Sequence, residues 1–137
     1  MAEQQYKLAI QNSAEAVNAI NNLSRLKNRS GEYNTAVVLA LQGLSQTQNP
    51  EWQAALYKNL GWARLKQKRY SEAKIHLQKA TQLDSERTDA YCLLAQTQEA
   101  LGEISNAKIS WEVCLLAESN LPEVQVWRQQ ILDRLLQ

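Results

Sequence analysis

Few residues in this chain could carry out covalent chemistry. His76 is the only histidine, and it stands between Ile75 and Leu77 without a second histidine or glutamate at metal-helix spacing. Cys92 and Cys114 are the only cysteines, too few for a disulfide framework or, with one histidine, for a metal site. A Cys/His dyad would need the fold to bring His76 to one of them, and isolated residues rarely make a site. No glycine-rich phosphate loop is present. The expectation is no catalysis, no metal and no cofactor. Binding has better material. Lys58, Trp62 and Lys66 follow one another at four-residue steps, so on a helix they project from one side. An exposed Trp flanked by two cations would anchor a partner; a Trp packed on a neighbouring helix would be core.

The elements that hold such residues can be read from composition. The chain has 137 residues, 45% of them hydrophobic and 21% charged, with a net charge of +1. Those values suit one domain with a core and argue against a disordered tail or a supercharged nucleic-acid binder. Phe is absent, so four Trp and five Tyr supply all the aromatic packing. Only four Gly and two Pro leave little punctuation for a chain of strands and tight turns, whereas helix formers abound. An all-α domain is expected. No apolar run is long enough to span a membrane, and the start, MAEQQYKLAIQNS, lacks a secretory signal pattern. The chain therefore reads as cytoplasmic, with reduced thiols.

Charge is unevenly spread. From Lys58 to Lys79 seven bases face Glu72 alone, netting +6; from Asp84 to Glu123 eight acids meet Arg87 and Lys108, netting −6. Either these are solvated helix faces or they steer a partner.

An internal repeat organises the chain. Tyr57 and Tyr91, Leu60 and Leu94, Gly61 and Ala95, Ala73 and Ala107, Leu77 and Trp111, and Ala80 and Cys114 all lie 34 residues apart. Upstream, Ile20, Leu23, Ser24, Ala36, Ala40 and Gly43 match at an offset of 37, the extra three residues falling in the polar stretch Ser45–Pro50. Leu56, Leu60, Ala63 and Leu65 recur at helical spacing, and so do Ala73, Leu77 and Ala80 after Tyr70. Small Gly61 and Ala73 let two antiparallel helices approach, Tyr70 plugs their turn, and Asp84-Ser85 ends the second helix and caps the next. Such a unit cannot bury its apolar face alone and must stack on neighbours.

Tyr57-x2-Leu60-Gly61, Tyr70, Ala73-x3-Leu77 and Ala80 resemble the tetratricopeptide repeat (TPR) motif, and Tyr91-x2-Leu94-Ala95, Gly102, Ala107-x3-Trp111 and Cys114 resemble a second copy. Gly31, Tyr33, Ala36-x3-Ala40 and Gly43 form a weaker first one. Ser85 and Ser119 stand where the family usually has Pro, and Lys27, Arg64 and Gln98 replace a frequent Tyr. The resemblance implies antiparallel helix pairs stacked as a right-handed superhelix of about seven helices. The expected divisions are 17–53, 54–87 and 88–121 for the repeats, with a long N-terminal helix extension over 3–16 and a capping helix over 122–136. One helix over about residues 3–29 follows from the unbroken stripe Tyr6, Ile10, Ala14, Val17, Ile20, Leu23 and Leu26, against the contrary hint of a capping box at Asn12-x-x-Glu15. Pro122 opens the last helix, whose Val124, Trp127, Ile131 and Leu135 should cover the third repeat.

In this family the first helix of each pair lines a concave groove in which partner segments lie. The resemblance thereby implies a site of Asn21, Arg25, Asn28 and Arg29, then Lys58, Asn59, Trp62, Leu65 and Lys66, then Cys92, Gln96 and Glu99. The clamp with which chaperone-binding members hold a terminal carboxylate would fall on Asn21, Arg25, Asn59, Asp89 and Leu93. Only Asn59 has the required type, so that clamp is not expected. The expected function is a non-catalytic adaptor that binds a protein or peptide, with acidic residues, in the groove. Self-association through the +6 and −6 segments is the alternative. RNA binding ranks last, because Asp89 and Glu99 interrupt any basic stripe.

Overall fold

The structure, a computed structural model, describes residues 14–136. Among these, seven helices follow in order: α1 Ala14–Arg29, α2 Tyr33–Leu44, α3 Pro50–Lys66, α4 Tyr70–Leu83, α5 Thr88–Ala100, α6 Ile104–Leu116 and α7 Pro122–Leu135. Tyr6, Ile10 and Asn12, on which the length of the first helix turned, lie outside the described residues.

The first three pairs are hairpins closed by one repeated turn. Gly31, Lys68 and Gly102, spaced 37 and 34 residues apart, all take the left-handed backbone conformation, with φ of 82°, 63° and 78°. In each hairpin the next N–H reaches back to a carbonyl five residues earlier: Glu32 to Lys27, Arg69 to Arg64 and Glu103 to Gln98, each at 2.8 Å. This is the helix-ending pattern that glycine suits best, so Lys68 occupies a glycine's place under strain. Of the Ser45–Pro50 stretch, Ser45–Asn49 is the loop its composition predicts, and Pro50 opens α3. Asn49 caps α3 by accepting the N–H groups of Glu51 and Trp52 at 2.9 and 3.2 Å. Asp84 does not cap α5 as expected; it accepts from Glu86 N–H (3.0 Å) in a turn, and Arg87 precedes the helix without a side-chain cap.

Close approach within the second hairpin rests on Gly61. A Cβ there would lie 2.6 Å from Leu77 Cγ and 3.2 Å from the Ala73 carbonyl oxygen. Ala36, Ala73 and Ala107 are buried at equivalent places on α2, α4 and α6. Between hairpins, α1 packs on α3, α3 on α5 and α5 on α7, while no comparable packing joins α2, α4 and α6. The layer whose helices touch must be the inside of the curve. α1, α3, α5 and α7 therefore form the concave side.

One expectation is overturned. Cys92 and Cys114 are not reduced thiols but a disulfide joining α5 to α6, their Cα atoms 4.9 Å apart. The repeat puts one cysteine on each helix of a hairpin at facing positions, a juxtaposition that counting cysteines could not reveal. The cytoplasmic expectation loses the support those thiols lent it. Among the described residues, no helix is long and apolar enough to cross a membrane.

Candidate interaction groove

The concave side is built from α1, α3 and α5, and α7 lies across it. Arg25 on α1 forms a two-pronged ion pair with Glu123 at the start of α7, Nη2 reaching Oε1 at 2.8 Å and Nε contacting Oε2. Trp62 on α3 meets Trp127 edge to face, with centroids 5.1 Å apart. Arg134 near the end of α7 donates to Glu99 on α5 at 3.1 Å. One helix thus touches all three inner helices. Its chain path is held by Arg128, which donates to the Cys114 carbonyl at 2.6 Å and to that of Ala117.

The electrostatics agree with that docking. Burial pushes the Glu123 carboxyl up, but the Arg25 hydrogen bonds, its own backbone N–H and the Arg25 and Lys58 charges outweigh this and hold it below the usual range. Arg25 is raised, chiefly by the same hydrogen bond. The Arg134 hydrogen bond likewise lowers Glu99.

Twelve residues were expected to line the groove, and the structure sorts them into three groups. Asn21, Asn28, Lys58, Asn59, Leu65 and the disulfide-bonded Cys92 are used inside the fold. Asn59 is fully buried and donates to the carbonyl and side-chain oxygens of Asn21 at 3.1 and 2.7 Å, while Asn28 donates to the Asn59 carbonyl at 2.9 Å. These amides staple α1 to α3. Lys58, read as an exposed steering charge, is only 2% exposed and pairs with the equally buried Asp89 at 3.2 Å. Burial pushes its ammonium down, against the pull of Asp89. Asp89, which has the wrong type for the carboxylate clamp, is the counter-ion of Lys58. Leu65 is buried in the core.

Arg25, Trp62, Gln96 and Glu99 face α7. Trp62 does not stand out toward solvent: it is 4% exposed, between Trp127 and Lys58, whose Nζ lies 5.7 Å from the ring centroid. Gln96 lines a space of about 410 Å³ with Gln130, Ile131 and Asp133 of α7. Arg29 and Lys66 alone of the twelve are exposed. They border a hollow of about 250 Å³ between α1, α3 and α7, floored by Trp62 and Trp127 and rimmed by Tyr33 and Val126. Asn28 also lines it, and its buried Oδ1 has no hydrogen-bond partner.

Sequence reasoning missed Glu123 and the reach of α7. The signal was present: Glu123 and Trp127 are four residues apart and so share a face. Among the described residues, the two cysteines are joined to each other, so neither is a free thiol for a Cys/His dyad. His76 is half-buried against Tyr57, centroids 6.1 Å apart, and burial and Arg64 push its imidazole pKa down.

A comparison with family descriptions matches residues 54–87 to the tetratricopeptide repeat. A comparison with curated protein sequences finds no match. Among solved structures, the chain is similar to the second TPR of Spaghetti (RPAP3) bound to the HSP90 peptide SRMEEVD. The identity is 25% and the TM-score 0.65, over 85% of this chain and 98% of that one. It is also similar to the Arabidopsis OM64 TPR domain, with 18% identity and a TM-score of 0.68 over 88% and 97% of the two chains. The matched repeat, the three in-register hairpin turns and these neighbours give the chain the all-α helical-repeat fold of TPR domains, with residues 54–87 matching the tetratricopeptide repeat itself.

Proposed function

We propose that this chain is a non-catalytic module that binds a protein segment carrying acidic residues on its concave side, at the part α7 leaves open. The observation that carries the reading is the hollow where Arg29 and Lys66, both exposed, flank Trp62, Tyr33 and Val126. Two cations beside aromatic and aliphatic surface suit a carboxylate followed by an apolar side chain. The Spaghetti neighbour, which holds a peptide with two glutamates and an aspartate, supports a peptide ligand of that general kind. It does not support the same ligand, because Asn59 is buried on Asn21 and Arg25 is held by Glu123. Catalysis has no support in a fold whose cysteines are joined and whose histidine packs on Tyr57.

Self-association has less to draw on than the charge segments promise. Lys58 pairs with Asp89 and Lys74 with Glu103 (2.8 Å), so basic and acidic segments already meet within one chain. The test is a pull-down followed by surface plasmon resonance at two salt concentrations with the captured partner. Arg29→Glu with Lys66→Glu should slow association at least tenfold at low salt and flatten its salt dependence. Binding that ignores this pair but is lost with Ile75→Glu and Ile109→Glu, which alter exposed residues of the outer helices, would place the partner on the convex side and end the groove reading.

A further inference from the structure

The concave side is covered by α7, and the chemistry of that contact can be read. Along α7, Glu123, Trp127 and Ile131 recur at four-residue steps and are all buried. Glu123 meets the Arg25 guanidinium, and Trp127 meets Trp62, the residue beneath Lys58. A guanidinium and an aromatic edge set one helical turn apart form a receptor for a carboxylate and an aromatic ring at the same spacing. We propose that the groove takes a helix presenting an acidic residue and an aromatic residue four positions later, and that α7 is its resident occupant, displaced when another protein supplies such a helix. This rests on the reading that partners bind the concave side, and it names their form.

Two features bear on how α7 is held. A terminal repeat normally turns a polar face outward, yet α7 leaves Val126 54% and Leu135 68% exposed. It is also joined to α6 by Ala117–Leu121, which is not helical. A short tether of that kind keeps the local concentration of α7 high, so an outside helix must compete with it and binds with an affinity reduced by the closed fraction.

The probe is a fluorescein-labelled peptide of residues 121–136, added to the full chain and followed by anisotropy. The wild-type chain should bind it at least tenfold more weakly than chains carrying Glu123→Gln or Trp127→Ala, whose own α7 is loosened. Adding Arg25→Glu to a loosened chain should abolish that gain, and peptides made with Glu123→Gln or Trp127→Ala should bind poorly. Equal affinity for wild-type and loosened chains overturns the proposal. Should Trp127→Ala prevent folding, Glu123→Gln and native-state hydrogen exchange of the unaltered chain still decide. Amides of α7 should exchange at least tenfold faster than those of α3 to α5, and equal rates would show that α7 opens only on global unfolding. The two readings fail separately. A captured partner sensitive to Arg29 and Lys66 but not competed by the peptide removes the resident-helix proposal alone. Peptide binding through Arg25 beside a partner held by the outer helices removes the groove as the partner's site.

Discussion

The α3–α4 hairpin and the docking of α7 are held by opposite means. In the hairpin the backbones themselves approach, and the space a side chain on Gly61 would need is filled by Leu77 and the Ala73 carbonyl. Across the groove, a carboxylate lies on a guanidinium, one indole edge lies on another and a second ion pair forms at Glu99, around the buried Val124, Trp127 and Ile131 that join α7 to the core. Close packing has no intermediate arrangement, because a small displacement forfeits its dispersion energy. Ion pairs and aromatic edges can be exchanged for water or for another helix. The first region gives the molecule its shape, and the second is the one that the resident-helix proposal requires to open without losing it.

That contrast can be broken at several strengths. The largest effect should come from the α5–α6 disulfide, a covalent version of rigid pairing. Cys92→Ala with Cys114→Ala should cost about 3 kcal/mol in urea unfolding, given a loop of 22 residues. No loss would mean that the hairpin needs no cross-link. Next, Ala73→Leu should overpack the Gly61 contact and lower stability by about 2 kcal/mol. An unchanged melting temperature would show that α3 and α4 are not in the register described.

Acidification tests the other region. Glu123 and Glu99 are held below the ordinary carboxylate range, so their ion pairs are complete above it and are lost as pH falls through the lowered values. In an acid titration the near-ultraviolet circular dichroism of Trp62 and Trp127 should fade before the helical far-ultraviolet signal. Coincident loss would mean that α7 belongs to the rigid body. The smallest effect is at the second turn. Lys68→Gly should relieve the left-handed strain and gain about 0.5 kcal/mol in thermal unfolding, as a glycine already does at the first and third turns. A loss instead would mean that the Lys68 side chain contributes more than its backbone costs.

The helix pairs were legible because local rules and the repeat agree. Small residues at Ser24, Gly61 and Ala95, and again at Ala36, Ala73 and Ala107, mark where helices must meet, whatever the rest of the fold does. The turns at Gly31 and Gly102 follow from backbone sterics in the same way. The resemblance put the expected groove residues on the first helix of each pair, but neither it nor spacing can say what stands opposite. Whether Lys58 is a free cation or a buried one depends on Asp89, which is 31 positions away, and whether Arg25 is open depends on Glu123, 98 positions away.

Sequence alone therefore determined what depends on neighbours within one or two turns: helices, turns, close approaches and the period that stacks them. Tertiary structure decided what depends on curvature. The inner helices crowd until α7 reaches α1, and that closure buries Trp62 and leaves Arg29 and Lys66 as the exposed cations among the expected groove residues. Curvature accumulates from small rotations between successive hairpins, each set by the fit of many side chains at once. No single motif encodes it, so the state of the groove had to be seen rather than read.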